Sequence, residues 1–332
     1  MKTEVNKKSK TWIFSIPNLS LQKRVQGMLF LAMVTVLSVS CAETNLDVIT
    51  EVNDQFDGIE AIEVDAGFLE MNYLGSDQQT EVSMEGIIRS NSDAYKIDYR
   101  VEGEVLRIRV IRNGVGKIGN FRSEGHLNLT GPKQMELKLE AGSGKVSVRN
   151  VSAEVIELHV GSGSVELVDA AADYIEMDAS SGRVIGENLE GQVKAIVSSG
   201  RLTLQDIKGD VDAKGSSGNL SLSHVDGLVN AHTSSGKIEL NRVSRLGSLV
   251  LSSGQIYVLQ SGLSAHTYLK ASSGNMSVHT SINLSQFNYD LVSGSGKVKV
   301  GDKQVSGVLK IENGAPVTIK GEVNSGRIEI VN

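Results

Sequence analysis

The sequence predicts an all-β fold: a single-chain parallel β-solenoid (β-helix) with coils of about 18 to 20 residues, preceded by an irregular β-rich N-terminal region. Three observations carry that prediction. A Ser-Gly pair recurs with its glycine at Gly144, Gly163, Gly182, Gly200, Gly218, Gly236, Gly254, Gly274, Gly296 and Gly326, in steps of 19, 19, 18, 18, 18, 18, 20, 22 and 30 residues. Apolar residues stand at fixed offsets from each of these glycines. The composition is 40% apolar and 4% aromatic, with Val, Leu and Ile alternating with polar residues, which is the pattern of half-buried strands and not of a disordered tail.

The chain opens on a targeting-type segment. Lys2, Lys7, Lys8, Lys10, Lys23 and Arg24 make a long positive stretch, and the apolar run MLFLAMVTVLSV at residues 28–39 is too short to span a bilayer but suits an export signal. Cys41 follows at once and is the only cysteine, so it cannot form an intramolecular disulfide. The LSVS before it resembles the lipobox of bacterial lipoproteins, with Ser38 where leucine is usual and Leu37 one place further back. That resemblance implies cleavage before Cys41, lipidation of Cys41 and, with Ala42 next, sorting to an outer membrane; the alternatives are an ordinary secreted protein or an uncleaved anchor. Residues 1–40 then form a signal peptide and 41–54 a tether that holds the remainder at a membrane surface.

Residues 55–135 carry strand-like stretches without the Ser-Gly turn: IEAIEVDAGFLEMNYL, TEVSMEGII, YKIDYRV and EVLRIRVIR. They predict opening coils or a small capping sheet. The stretch HLNLTGPKQMELKLEAGSGKV, residues 126–146, runs into the repeats and is expected to belong to the first regular coil.

From 136 to 332 the columns are regular. Two residues after each glycine stand Val146, Val165, Val184, Leu202, Leu220, Ile238, Ile256, Met276, Val298 and Ile328, without a polar exception. Four after it the column is apolar except for Gly186. Each glycine is therefore followed by a short strand with one face inward. A second inward pair precedes the glycine, as in Ile156 with Leu158 and Ile175 with Met177, so each coil has a second strand. Asn150, Asp169, Asn188 and Asp206 mark turns. One coil cannot bury its own inward face, so the pattern must recur, and repetition by itself is no evidence of chemistry. The last stretch, GRIEIVN, reads as a strand whose open edge would allow end-to-end self-association.

An opening FDGIEAIEV at residues 56–64, the entry GPKQMELKLEAGSGKVSV and the reiterated SSGK/R coils together resemble the bacterial adhesin-like β-helix families, including the auto-transporter adhesin head GIN domain. The resemblance covers residues 56–332. It implies the β-helix architecture and a surface role, and it brings no catalytic residues.

Two outward columns are candidate sites. The residue after each glycine is basic at Lys145, Arg183, Arg201, Lys237, Lys297 and Arg327 and nowhere acidic, although the chain's net charge is −6. Such an edge could take an anionic ligand, or it could simply keep an exposed edge soluble and block lateral pairing. On the strand before the turn, Glu140, Glu157, His159, Glu176 and Asp178 form an acidic cluster flanked by Lys138 and Lys194. Stacked carboxylates beside a histidine could serve acid and base chemistry, unless the lysines neutralise them. The serine before each glycine is expected to bond corner backbone. Tyr257, Tyr268 and Phe287 are candidate outward aromatics.

His159 and His232 share a column about 19 Å apart by coil rise, too far to share a metal, and no calcium-repeat, nucleophile-elbow or phosphate-loop motif occurs. No metal, cofactor or catalytic residue is expected. The acidic balance and scarce aromatics argue against nucleic acid. The expectation is a non-catalytic outer-membrane lipoprotein, periplasmic or surface-facing. Its candidate partners are the membrane through its lipid, a polysaccharide or an envelope protein. The rival readings are a polysaccharide-active β-helix enzyme and a periplasmic scaffold or sensor.

Overall fold

The structure, a computed structural model, describes residues 46–112 and 122–332, which belong to one compact unit, Leu46–Asn332. The signal-type segment and Cys41 lie outside the described residues. Strands β1 (Asp47–Phe56), β2 (Ala61–Asp65), β3 (Glu70–Ser76), β4 (Val82–Ser90), β5 (Tyr95–Glu102), β6 (Val105–Arg112) and β7 (Ser123–Pro132) precede the regular coils. Then come two long ribbons, β8 (Glu136–Lys208) and β9 (Val211–Ser261), that stay extended around their corners and so wind through several coils each. The remainder is β10 (Tyr268–Thr280), a 3-10 turn at Leu284–Gln286, β11 (Asn288–Val300), β12 (Lys303–Val305), β13 (Val308–Ile311) and β14 (Thr318–Val331).

The predicted columns are the observed register. Where β8 meets β9 the pairing is parallel, with Val193 opposite Val211, Gly200 opposite Gly218 and Leu202 opposite Leu220. All ten residues of the column two after the glycine are buried, from Val146 to Ile328. They stack into one continuous apolar core that each coil can complete only with its neighbours. Gly186, the gap in the next column, is filled from three sides: a Cβ there would lie 2.8 Å from Leu189 Cδ1 and from Leu204 Cδ2 and 3.0 Å from Met177 Cε.

The glycine at the corner is demanded by the stacking distance. At Gly182 the backbone has φ +135°, and a Cβ would stand 1.8 Å from the carbonyl oxygen of Gly163 in the coil beneath. No L-residue fits there. The opposite corner uses a left-handed residue of another kind. Asn150, Asp169, Asn188, Asp206, His224, Arg242 and Gln260 all have φ between 48° and 56°. Asn and Asp tolerate that region, which is why the sequence marks them as turns; His224, Arg242 and Gln260 are held in it because the coils on either side fix the corner.

The order of the stack departs from the order of the chain at both ends. On the N-terminal side β2 pairs in parallel with β6 on one edge and β8 on the other, and β3 likewise lies between β7 and β8. Residues 126–132 therefore do not join the first regular coil: the coil made by β2 and β3 is interposed. Antiparallel strands close this end, β5 on β6 and β4 on β7, with β1 on β4. β1 begins at Asp47, inside the stretch read as a tether.

The C-terminal end repeats the device. β14 is parallel to β10 and to β11 and sits between them, with Met276 opposite Ile328 and Ile328 opposite Val298. The expected open edge on GRIEIVN is thus absent, since both of its sides are paired. β11 is the outer coil, covered by the antiparallel β13 and β12. The steps of 22 and 30 residues are the excursions needed to build that cover and return. Phe287, expected outside, packs at this end with 9% exposure.

Candidate functional site

The acidic face is built by the strand that precedes each glycine corner. Coil stacking brings Glu157 over Lys138 and Lys194 over Glu176, and both carboxylates are paired: Lys138 Nζ is 3.4 Å from Glu157 Oε2 and Lys194 Nζ is 2.8 Å from Glu176 Oε1. Tyr174 Oη donates to the other oxygen of Glu176 at 2.9 Å. Burial pushes the Glu176 pKa up, but the hydrogen bonds from Lys194 and Tyr174 and the nearby positive charge outweigh it and hold the carboxyl below its ordinary value. Asp178 goes the other way: burial raises it, the Glu176 charge adds to the rise, and His159 and Lys194 oppose it.

The same face continues towards the N-terminal cap as an alternating ladder, in which Arg107 of β6 pairs with Glu63 of β2 at 2.5 Å. Two shallow depressions border it, about 210 Å³ beside Glu63, Arg107 and Glu140 and about 230 Å³ beside Glu63, Lys138 and Glu157. Each is lined by both signs of charge. Glu140, Glu157, His159, Glu176 and Asp178 are thus brought onto one face as their spacing predicts, with Glu157 and Glu176 paired to lysines and Glu140, His159 and Asp178 in no ion pair among the described residues. Among the described residues no group of three or more His, Cys, Asp and Glu side chains could hold a metal ion.

The basic edge is not uniform. Lys145 Nζ lies 2.5 Å from Glu166 Oε2, an oxygen pair that Glu166 shares with Arg149 of the coil before it. Lys237 is paired with Glu239 at 2.5 Å and Arg327 with Glu329 at 3.3 Å, each carboxylate two residues further along the same strand. Arg183, Arg201 and Lys297 have no ion-pair partner among the described residues. Two of these three are neighbours. At Arg183 and Arg201 the residues two further along are Ile185 and Thr203, so the carboxylate found elsewhere is missing.

Along these two arginines runs a shallow, open groove of about 500 Å³, lined also by Gly163, Gly182 and Gly200, with Ser164 and Asn219 on its first and last coils. The serines before the glycines do not bond corner backbone as expected. They are exposed, and among the described residues their hydroxyls have no hydrogen-bond partner in the protein. The corner amides are engaged from coil to coil, which leaves the hydroxyls to solvent.

One chain of side-chain contacts is not evident from the repeat pattern. At the left-handed corner Asn188 donates to Asp169 at 2.5 Å, and further on His224 Nδ1 is 3.1 Å from Asp206 Oδ1 while its Nε2 is 2.8 Å from Arg242 Nη1. Arg242 Nε in turn donates to Gln260 at 3.1 Å. The signal was in the sequence, since all these residues share one offset from the glycine. The aromatic candidates divide: Tyr257 is 39% exposed and meets His279 edge-on, whereas Tyr268 donates to Glu322 at 2.7 Å.

Stacked coils around one core, with polar corners, define a β-solenoid repeat protein. The chain belongs to the Toastrack family DUF4097, whose model matches twice, over residues 108–228 and 198–331. No curated protein matches it. Among solved structures it is similar to a candidate adhesin from Bacteroides fragilis, at 12% identity and a TM-score of 0.39, over 85% of this chain and 97% of that one. A candidate adhesin from Parabacteroides merdae matches at 13% identity and a TM-score of 0.28, over 87% and 97% respectively. A candidate lipid-binding protein from Parabacteroides distasonis matches at 13% and 0.25, over 85% and 97%.

Proposed function

We propose that this chain is a non-catalytic, adhesin-like binding module of the cell envelope, held at the outer membrane by a lipid on Cys41 and displaying the solenoid to the outside. The observation that carries the non-catalytic reading is the pairing of Glu157 with Lys138 and of Glu176 with Lys194. A retaining or inverting glycosidase needs one free carboxylate and one protonated acid facing a bound sugar across a cleft. Here the two glutamates are engaged by lysines on an open sheet face. The export-type N-terminus and the lipobox-like LSVS before Cys41 support the envelope address. The proposed attachment is the lipid on Cys41; among the described residues no helix is long and apolar enough to cross a membrane.

The test is reducing-end release from a panel of acidic and neutral polysaccharides by the purified protein. The proposal expects no release above that of heat-denatured protein. Release that vanishes when Glu157→Gln and Glu176→Gln are combined would establish the polysaccharide-active enzyme instead.

A further inference from the structure

We propose that the groove along Arg183 and Arg201 is a binding site for a linear anionic glycan that carries a carboxylate on each sugar. The inference begins from the census of charges along the basic edge. Lys145, Lys237 and Arg327 each have a carboxylate partner, at 2.5, 2.5 and 3.3 Å, although Glu166 is shared with Arg149 and Glu329 with Lys299. Arg183 and Arg201 are exposed, adjacent in the stack and without an ion-pair partner among the described residues. Two unpaired like charges on successive coils, whose backbones lie about 4.8 Å apart, repel, and no carboxylate offsets that repulsion as it does in the paired coils. A guanidinium presents a planar fork that matches a carboxylate with two parallel hydrogen bonds, and the same chemistry binds phosphate or sulfate.

The shape of the groove selects among the carriers of such anions. Glycine backbone lines it, and with Ser164 and Asn219 on its first and last coils it runs over four coils, or about 14 Å along the stack. That length suits a strand of several sugars better than a single small anion. Beside it stand the exposed hydroxyls of Ser162, Ser181, Ser199 and Ser217, one per coil and without protein partners, as a row of donors and acceptors for sugar hydroxyls. None of the exposed large hydrophobic residues among the described residues lines the groove, so nothing there would receive an acyl chain.

The site rests on the reading of the chain as a non-catalytic binding module and names its ligand class. The test is titration calorimetry of the full chain in neutral detergent with octagalacturonate. Maltooctaose, inorganic phosphate and vesicles of phosphatidylcholine with phosphatidylglycerol run as separate arms. Octagalacturonate should bind and maltooctaose should not. Affinity should fall as salt is raised, and by about tenfold for each of Arg183→Ala and Arg201→Ala. Lys297→Ala, which removes the third unpaired cation of the same edge outside the groove, should leave affinity within about twofold. Thermal melts of the variants should match the parent, or exceed it as repulsion is relieved.

No binding in any of the anionic arms, or an equal loss with Lys297→Ala, overturns the site. Binding of phosphate or of anionic vesicles, but not of octagalacturonate, with the same arginine dependence overturns the glycan and assigns the groove to those anions. Binding with cleavage would overturn the non-catalytic reading while leaving the site in place; absence of binding would leave that reading untouched.

Discussion

Gly326 stands in register with Gly274 on one side and with Gly296 on the other, although Gly296 precedes it in the chain. The last strand of the sequence is therefore an interior coil of the stack. Its amides, those of Ile328 and Ile330 for example, should exchange with solvent as slowly as that of Met276, while those of the short outer strand β12 exchange faster. Hydrogen exchange read by NMR or mass spectrometry checks this. A β14 that opens before β12 would refute the interposed coil.

The two residues of the repeat dipeptide should differ sharply on substitution. Gly182→Ala forces a Cβ to within 1.8 Å of a backbone oxygen, at a φ that L-residues avoid, and should cost roughly 3 kcal/mol or more. Ser181→Ala removes an exposed, unpartnered hydroxyl and should stay within about 0.5 kcal/mol. Urea unfolding of both variants measures it.

Glu176 and Asp178 should respond to pH with opposite signs. The Glu176 carboxyl is held below its ordinary pKa, so its contribution to stability is present above the unfolded pKa and is lost as pH falls through the folded value. Glu176→Gln should lower stability at neutral pH by about 1 kcal/mol, and the difference from the parent should close in acid. Asp178 is raised, chiefly by burial, so the folded state prefers its protonated form and loses stability as pH rises towards the folded value. Asp178→Asn should accordingly stabilise the protein at neutral pH. Denaturation midpoints across acid and neutral buffers test both signs.

His224 lies between Asp206 at Nδ1 and Arg242 at Nε2. Arginine has only donors to offer, so the contact requires a bare Nε2 and places the proton on Nδ1, facing the carboxylate. Nitrogen chemical shifts of His224 at neutral pH should report the Nδ1-protonated tautomer, and combining Arg242→Met with Asp206→Leu should release that preference. An Nε2-protonated ring in the parent would contradict the ladder.

Most of the architecture is legible in the sequence because each coil repeats one environment. Val146 to Ile328 read as a buried column since every coil needs an apolar residue there, and Asn150 to Asp206 read as turns since Asn and Asp tolerate the left-handed corner. The interposed coils are not legible. β14 offers the same glycine and the same apolar column as β11, so local pattern fits either neighbour, and only the antiparallel covers of β12 and β13 decide which coil lies outside. The site divides in the same way. Lys138 with Glu157 and Lys194 with Glu176 follow from coil spacing, whereas Glu166 bridging Lys145 and Arg149 depends on side-chain reach across coils; Arg183 and Arg201 stand apart because Ile185 and Thr203 occupy the place of the carboxylate that pairs Lys237 and Arg327.

The proposed display of the solenoid outside the cell is tested by its accessibility on intact cells. A peptide tag inserted after Gly314, in the exposed turn between β13 and β14, leaves both strands intact and has open space around it. Antibody to the tag should label intact cells while a periplasmic control protein stays unlabelled. Labelling that appears only after the outer membrane is permeabilised would contradict display and turn the search to periplasmic partners.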